Sequence, residues 1–386
     1  MTTPAETAIR AEIARRGSIP FADFMALALG HPAGGYYTGA VARPTRSGDF
    51  LTAPELHPVF GATLARQVAE AWDRLGRPSP FTLLEYGAGA GTLALAILAG
   101  LRDDGSPLAD ALVYAPEELS AHRVAEIEKG AAAAGLAIVD AGALDLAPAA
   151  GVVLANEFLD ALPVHLVEVR EGRPREVHVG VGCDGAFEDV LGELSGAAVA
   201  EHLAALDRQG IALVEGQRLE VRPAVDGWAD QVGRRLAAGL VLVLDYGSPA
   251  PDLYGPRRRA GTLMTYRGHV AEGDAGAPYR DVGERDITAH VDTTALGDAL
   301  RAAGLDLLGE ISQAELLVGC GLEELVRRRQ EAAASASEAL ELRSAVMRLL
   351  DPRHLGGFRA VVAGRGVAAE PPLRGLTYRG PGTRRR

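Results

Sequence analysis

The chain has 386 residues, and at roughly 150 residues per domain that length suits two or three domains, or one domain carrying large insertions, and excludes a peptide or a disulfide knot. Hydrophobic residues make up 48% and charged residues 23%, which is enough apolar material for a full core and leaves no case for global disorder. Lys+Arg 39 against Asp+Glu 51 gives a net charge of −12, the wrong sign for a chain that works by neutralising nucleic-acid phosphates. A small neutral or cationic partner is expected instead of nucleic acid.

In chain order, Met1 to Arg16 intersperses acids with arginines and lacks the apolar stretch of a signal peptide. A Gly-rich loop follows, His31-Pro32-Ala33-Gly34-Gly35-Tyr36-Tyr37, then Ser47-Gly48-Asp49-Phe50-Leu51-Thr52-Ala53-Pro54-Glu55. Pro58 to Leu75 has helical apolar spacing, and Gly76-Arg77-Pro78 breaks it. Phe81-Thr82-Leu83-Leu84-Glu85 is a short apolar run suited to a buried parallel strand, with glycines next and a helix over about Thr92 to Leu101. Further strands are expected at Leu112 to Ala115, Leu136 to Val139 and Val152 to Ala155, the first two separated by a helix over Ser120 to Ala134. This alternation predicts βαβ units and a parallel sheet.

From Val164 to Gly182 the pattern becomes two alternating runs joined by Glu171-Gly172-Arg173-Pro174, the signature of a hairpin inserted into the parallel core. The core resumes at Leu240 to Gly247. Asp292 to Ala303 reads as a helix, Leu305 to Ile311 as a strand, Gln313 to Leu350 as mostly helix and Phe358 to Ala363 as a last strand. The longest strongly apolar run, Leu93 to Leu101, is too short to span a bilayer. The two cysteines, Cys183 and Cys320, have no C-x-x-C spacing, so neither a zinc site nor a disulfide framework is indicated, and a reducing, cytoplasmic setting is expected.

Glu85-Tyr86-Gly87-Ala88-Gly89-Ala90-Gly91 ends the first core strand and opens a helix. Glycines let backbone approach a ligand closely, and the helix start offers unpaired N–H groups. The alternation of Gly87, Gly89 and Gly91 departs from the dinucleotide fingerprint, which disfavours a nicotinamide dehydrogenase. An acid followed by G-x-G-x-G instead resembles the first motif of class I S-adenosylmethionine-dependent methyltransferases. That resemblance implies that Glu85 helps hold the cofactor's amino-acid end and that the glycines make room for it. After the second strand, Glu117 and Glu118 are the candidates to hold a ribose, Glu118 the better placed, although an acid at a helix start also suits the helix dipole. Asp140, after the third strand, is a candidate near the adenine or a simple turn aspartate.

After the fourth strand comes Asn156-Glu157-Phe158-Leu159-Asp160-Ala161-Leu162-Pro163-Val164-His165. Together with Gly34 to Tyr37, Gly48 to Glu55, Glu85 to Gly91, Val243 to Gly247, Gly261-Thr262-Leu263, Asp286 to Asp292 and Leu355 to Phe358, this resembles the MidA-like family, over about residues 15 to 365. That family includes a mitochondrial enzyme that dimethylates an arginine of a respiratory complex I subunit. The resemblance implies an α/β, class I methyltransferase (Rossmann-like) doubly wound sheet with an N-terminal helical lid and an inserted α+β subdomain. It implies S-adenosyl-L-methionine as cofactor and arginine of a protein, such as a respiratory complex subunit, as acceptor. Asp49 and Thr52 would lie in a lid over the cofactor.

The expected division is 1–76 for the helical and lid segment, 77–160 with 236–250, 286–312 and 355–366 for the core, 161–235 with 251–285 for the inserted subdomain, 313–354 for a helical insertion and 367–386 for a tail. A guanidinium is planar, permanently charged and best gripped by carboxylates, a role suited to Glu157 and Asp160. Asn156 would orient the acceptor or cofactor through its amide, and His165 is a candidate proton acceptor. Asp245 would line the acceptor pocket. No metal is expected. A small-molecule acceptor, or an assembly factor that binds cofactor with little turnover, are the alternatives.

Overall fold

The computed structural model describes residues 2–39, 52–267, 270–378 and 380. These residues form two compact units, one drawn from the spans 1–50, 159–228 and 247–296, the other from 51–158, 229–246 and 297–386.

The second unit is built on a seven-stranded sheet. Its strands in chain order are β1 (Phe81–Tyr86), β2 (Leu112–Glu117), β3 (Ala137–Ile138), β4 (Ala149–Asn156), β5 (Leu236–Asp245), β6 (Asp306–Ser312) and β7 (Arg359–Arg365). Their order across the sheet is β6-β7-β5-β4-β1-β2-β3. All neighbours are parallel except that β7 runs antiparallel to both β5 and β6. Mostly apolar sequence explains the central strands, in which every residue of β1 is buried and Leu240 to Asp245 of β5 likewise. Pro116, which lacks an N–H, is tolerated within β2, where it lies opposite Glu85 in the register with β1. β3 is shorter than the sequence run suggests, two exposed residues at the sheet's edge.

Chain direction across the sheet reverses beside β1: β2 and β3 lie to one side and β4 to the other. Ligands of open α/β sheets sit at such a switch point, outside the carboxyl ends of the strands. Those ends carry Tyr86, Glu117, Asn156 and Asp245, so the fold gathers the loops singled out in the sequence along one edge.

The first unit holds an antiparallel sheet in which Arg173–Val181 pairs with Ile19–Pro20, His165–Arg170 and Phe187–Gly192, while His165–Arg170 also pairs with Arg218–Val221. The expected hairpin is present, its two-residue turn having Glu171 at φ 54° and Gly172 at φ 70°. Positive φ at both turn positions is the geometry that matches strand twist. Period-two alternation sends Leu166 into an apolar cluster with Phe21, Phe24 and Val177, and Val167 into a second with Val199, Leu206 and Leu219.

Candidate active site

The site begins with the turn after β1. Gly87, Gly89 and Gly91 all have positive φ, at 66°, 56° and 74°, a region closed to most L-residues and open to glycine. Gly91 then caps the helix Thr92–Asp103. A Cβ on Gly87 would stand 2.9 Å from the Phe158 ring, while one on Gly89 would meet nothing within 4 Å. The turn is therefore packed at one glycine and open at the next.

Glu85, 4% exposed, stands just before this turn near the end of β1. Its Oε2 accepts the Tyr114 hydroxyl at 2.5 Å. Burial first, and the nearby Glu118 charge second, push its pKa up to about 8 against the opposing Tyr114 bond. Glu118 faces the turn from β2: one carboxylate oxygen accepts the Gly89 N–H at 2.8 Å and the other the Ser120 N–H at 2.8 Å. Glu117 points elsewhere, into an ion pair with Arg235. Of the two acids left open by sequence, Glu118 is the one facing the glycines. Asp140 is exposed and accepts the Gly142 N–H at 3.0 Å within the turn after β3.

The second half comes from the ends of β4 and β5. Glu157 has φ 50°, unusual for a side-chain-bearing residue, and its N–H bonds the Leu244 carbonyl at 2.8 Å. Its Oε1 takes two donors, the Ala53 N–H at 3.0 Å and the Asn156 amide at 3.1 Å. Oε2 has no hydrogen-bond partner among the described residues. The residue as a whole keeps some exposure, yet desolvation of its carboxyl, helped by the charges of Asp245 and Glu55, moves the pKa to about 8. Glu55 itself is raised to about 7 by burial, against the Arg123 charge. Asp245 accepts the backbone N–H groups of Phe158 at 3.2 Å and Tyr246 at 2.8 Å. Oδ1 of Asn156 is buried with no hydrogen-bond partner among the described residues. Thr52 opens the turn Ala53–Leu56 that donates to Glu157, without a side-chain cap bond of its own.

Thus Glu85, the three glycines, Glu118, Asn156, Glu157 and Thr52 belong to one unit. Asp160 and His165 fall in the other and have other neighbours there: the Asp160 carbonyl accepts from Arg222 at 3.0 Å, and His165 Nδ1 lies 2.7 Å from the buried Glu176. Asp49, with the rest of 40–51, lies outside the described residues. Sequence reasoning missed Tyr114, Phe158 and Arg235. Tyr114 sits in an apolar run that gives no sign of a hydroxyl partner, and nothing in the chain around Arg235 marks it.

Three carboxyls here have raised pKa values, and none of the groups shifting Glu85 or Glu157 is a cation among the described residues. A ligand carrying positive charge would relieve that imbalance. Residues 63–311 match a family described as S-adenosyl-L-methionine-dependent methyltransferase. The chain belongs to this family. It is 30% identical over 308 residues to the mitochondrial protein arginine methyltransferase NDUFAF7 homolog of Drosophila melanogaster, covering 74% of this chain and 67% of the relative. The NDUFAF7 protein arginine methyltransferase of Homo sapiens, also mitochondrial, is 26% identical over 380 residues, covering 92% and 81%. A Burkholderia thailandensis protein crystallised with S-adenosyl-homocysteine superposes with a TM-score of 0.84 at 34% identity, covering 97% of this chain and 94% of that one.

This S-adenosyl-L-methionine-dependent methyltransferase accordingly has a class I methyltransferase fold and S-adenosyl-L-methionine as its cofactor. The cytoplasmic location expected from the sequence is corrected: the curated relatives are mitochondrial proteins, which points away from it. Cysteine spacing and charge report redox setting and not compartment, so they could not make that distinction. Among the described residues no helix is long and apolar enough to cross a membrane, and no group of His, Cys, Asp and Glu could hold a metal ion.

Proposed function

We propose that this methyltransferase acts on a guanidinium nitrogen of arginine in a protein acceptor. The observation that carries the reading is Glu157, a carboxylate with Oε1 fixed by Ala53 and Asn156 and Oε2 open, backed by Asp245 and Glu55. Two or more acids around one open oxygen suit a cation that is planar and always charged. Asn156 Oδ1, without a partner among the described residues, supplies a further acceptor for an N–H donor. The names of the curated relatives support the same acceptor class. A respiratory-complex subunit, which the family resemblance implies, is the acceptor to test first.

In this reading Glu85 would hold the ammonium of the cofactor's amino-acid end, Glu118 would hold the ribose hydroxyls, Asp140 would lie toward the adenine, and Gly87, Gly89 and Gly91 would leave the space. When bound, S-adenosyl-L-methionine supplies an electrophilic methyl group on a sulfonium. The chain's own contribution is alignment and removal of water, the main requirement of an in-line displacement. Glu157 orients the guanidinium so that one nitrogen faces the methyl, and its Oε2 takes the proton that nitrogen sheds. A carboxyl with a pKa about 8 is well matched to that exchange near neutral pH.

The test is to incubate the purified protein and methyl-labelled cofactor with extract of cells lacking the protein, then separate macromolecules from small molecules. Label recovered as methylarginine after protein hydrolysis supports the proposal, and its loss in Glu157→Gln ties it to this site. Label only in the small-molecule fraction, or only in other amino acids, overturns it.

A further inference from the structure

Arg235 ends the helix Ala224–Arg235, stands immediately before β5 and is 4% exposed. A guanidinium buried this deeply must satisfy its donors within the protein. Nε and Nη2 form a parallel pair of bonds to Asp145 Oδ1 and Oδ2, both 2.9 Å long. Nη1 bonds the Glu117 carboxylate and reaches the Tyr86 hydroxyl at 3.4 Å. That hydroxyl donates to Gln231 Oε1 at 3.1 Å, one turn back on the same helix.

These partners come from three successive connections of the sheet. Tyr86 ends β1, Glu117 ends β2, and Asp145 closes the short turn that Asp140 opens after β3. The same connections carry the glycine turn, Glu118 and Asp140. Glu117 also reaches the turn directly, because its carbonyl accepts the N–H groups of Gly87 at 3.0 Å and Ala88 at 3.4 Å. The Tyr86 ring lies 5.5 Å from the Phe158 ring, which packs against Gly87. With Glu117 held by Arg235, Glu118 is the carboxylate left facing Gly89.

We propose that Arg235 is a positioning residue for cofactor binding, a single guanidinium that sets the three strand-end loops in mutual register. The requirement is for arginine in particular. A planar fork engages Asp145 through two bonds while a third nitrogen reaches Glu117, whereas a lysine ammonium is a point donor that cannot span both. The inference rests on the reading of Glu118 given above, and it is independent of the acceptor.

Calorimetric titration with S-adenosyl-homocysteine tests it, on the wild type and on Arg235→Lys, Asp145→Asn, Glu118→Ala and Arg66→Lys. Arg66 is the control, a buried arginine of the same unit paired with Asp104 and Glu324 and with no bond to the three loops. Small misplacements of binding groups cost large factors, so Arg235→Lys and Asp145→Asn are each expected to raise Kd by about tenfold or more, with Arg66→Lys within about twofold of wild type. Should Arg235→Lys fail to fold, Asp145→Asn carries the comparison. Retained affinity in both, or equal weakening in Arg66→Lys, overturns the proposal. Retained affinity in Glu118→Ala would instead remove the reading of Glu118 on which it rests.

Discussion

Tyr114 donates its hydroxyl to Oε2 of Glu85 at 2.5 Å, across the register of β1 and β2, and leaves Oε1 of the same carboxyl without a partner among the described residues. The bond works against desolvation, which is the larger influence and holds Glu85 at about 8. Removing it lifts the pKa further. A cationic ligand group needs the ionised form, so the affinity of wild type for S-adenosyl-homocysteine should strengthen as pH rises toward about 8. Tyr114→Phe should shift that rise to higher pH and weaken binding at pH 7 by roughly tenfold, the worth of one hydrogen bond to a charged group. Titrations at several pH values check this, and an unchanged profile in Tyr114→Phe would break the link.

The same shifts fix the sign of a stability effect. Glu85 and Glu157 titrate at about 8 and Glu55 at about 7 in the folded chain, against 4.5 for an unperturbed glutamate. Between these values the folded state binds more protons than the unfolded one, so stability falls as pH rises from about 4.5 to about 8. Acids held below their ordinary range, such as Asp104, act at lower pH. Glu85→Gln and Glu157→Gln should each flatten the decline and raise the thermal midpoint at pH 8 by a few degrees. Melting curves without ligand at pH 5 and pH 8 decide it, and a parallel decline in both variants would contradict the assignment.

Much of this arrangement is legible in the chain because it is local. Apolar runs mark β1, β2, β4 and β5, and the alternating glycines after β1 announce a turn that only positive φ can make. The helix expected over Ser120 to Ala134 is found at Ala121–Ala134, capped by Ser120 and ended by Gly135 in the left-handed region. What sequence does not show is long-range. Ala53 donates to Glu157 across 104 residues, and Arg235 meets Glu117 across 118. The strand Arg218–Val221 joins the hairpin sheet only because tertiary packing brings it there. Periodicity carries no information about which distant polar groups will be buried together, so the pairing of Glu117 with Arg235, and with it Glu118 as the acid facing Gly89, could not be read from the chain.

Gly87 and Gly89 of the turn should respond differently to alanine. At Gly89 the added methyl has open space, so the cost is the left-handed backbone alone, about 1–2 kcal/mol. At Gly87 the methyl also meets Phe158 at 2.9 Å, and either the ring or the turn must move. Gly89→Ala should therefore fold with a modest loss of stability, and Gly87→Ala should lose more. Affinity should invert that order if the space beside Gly89 is where ligand lies: a well-folded Gly89→Ala, or more severely Gly89→Val, should bind S-adenosyl-homocysteine much more weakly than wild type. Denaturant melts paired with calorimetry separate the two effects, and full affinity in Gly89→Val would exclude the turn as a binding surface.

Glu157→Gln isolates charge from shape. The glutamine oxygen can still accept from Ala53 in the position of Oε1, so the local turn should persist, including the bond from Glu157 N–H to the Leu244 carbonyl. What disappears is the negative charge that grips a guanidinium and the oxygen that receives its proton. The expected result is a fall in kcat of about a hundredfold or more, the scale of a lost proton acceptor, with the cofactor Kd within about twofold because Glu85, Glu118 and the glycines are untouched. Glu157→Asp keeps the charge and retracts it by one methylene, so it should recover part of the rate. Quantifying methylarginine formation under saturating cofactor measures both variants. A Glu157→Gln enzyme with normal kcat would show that proton removal does not pass through this carboxylate, whereas equal loss of kcat and cofactor affinity would make its role structural.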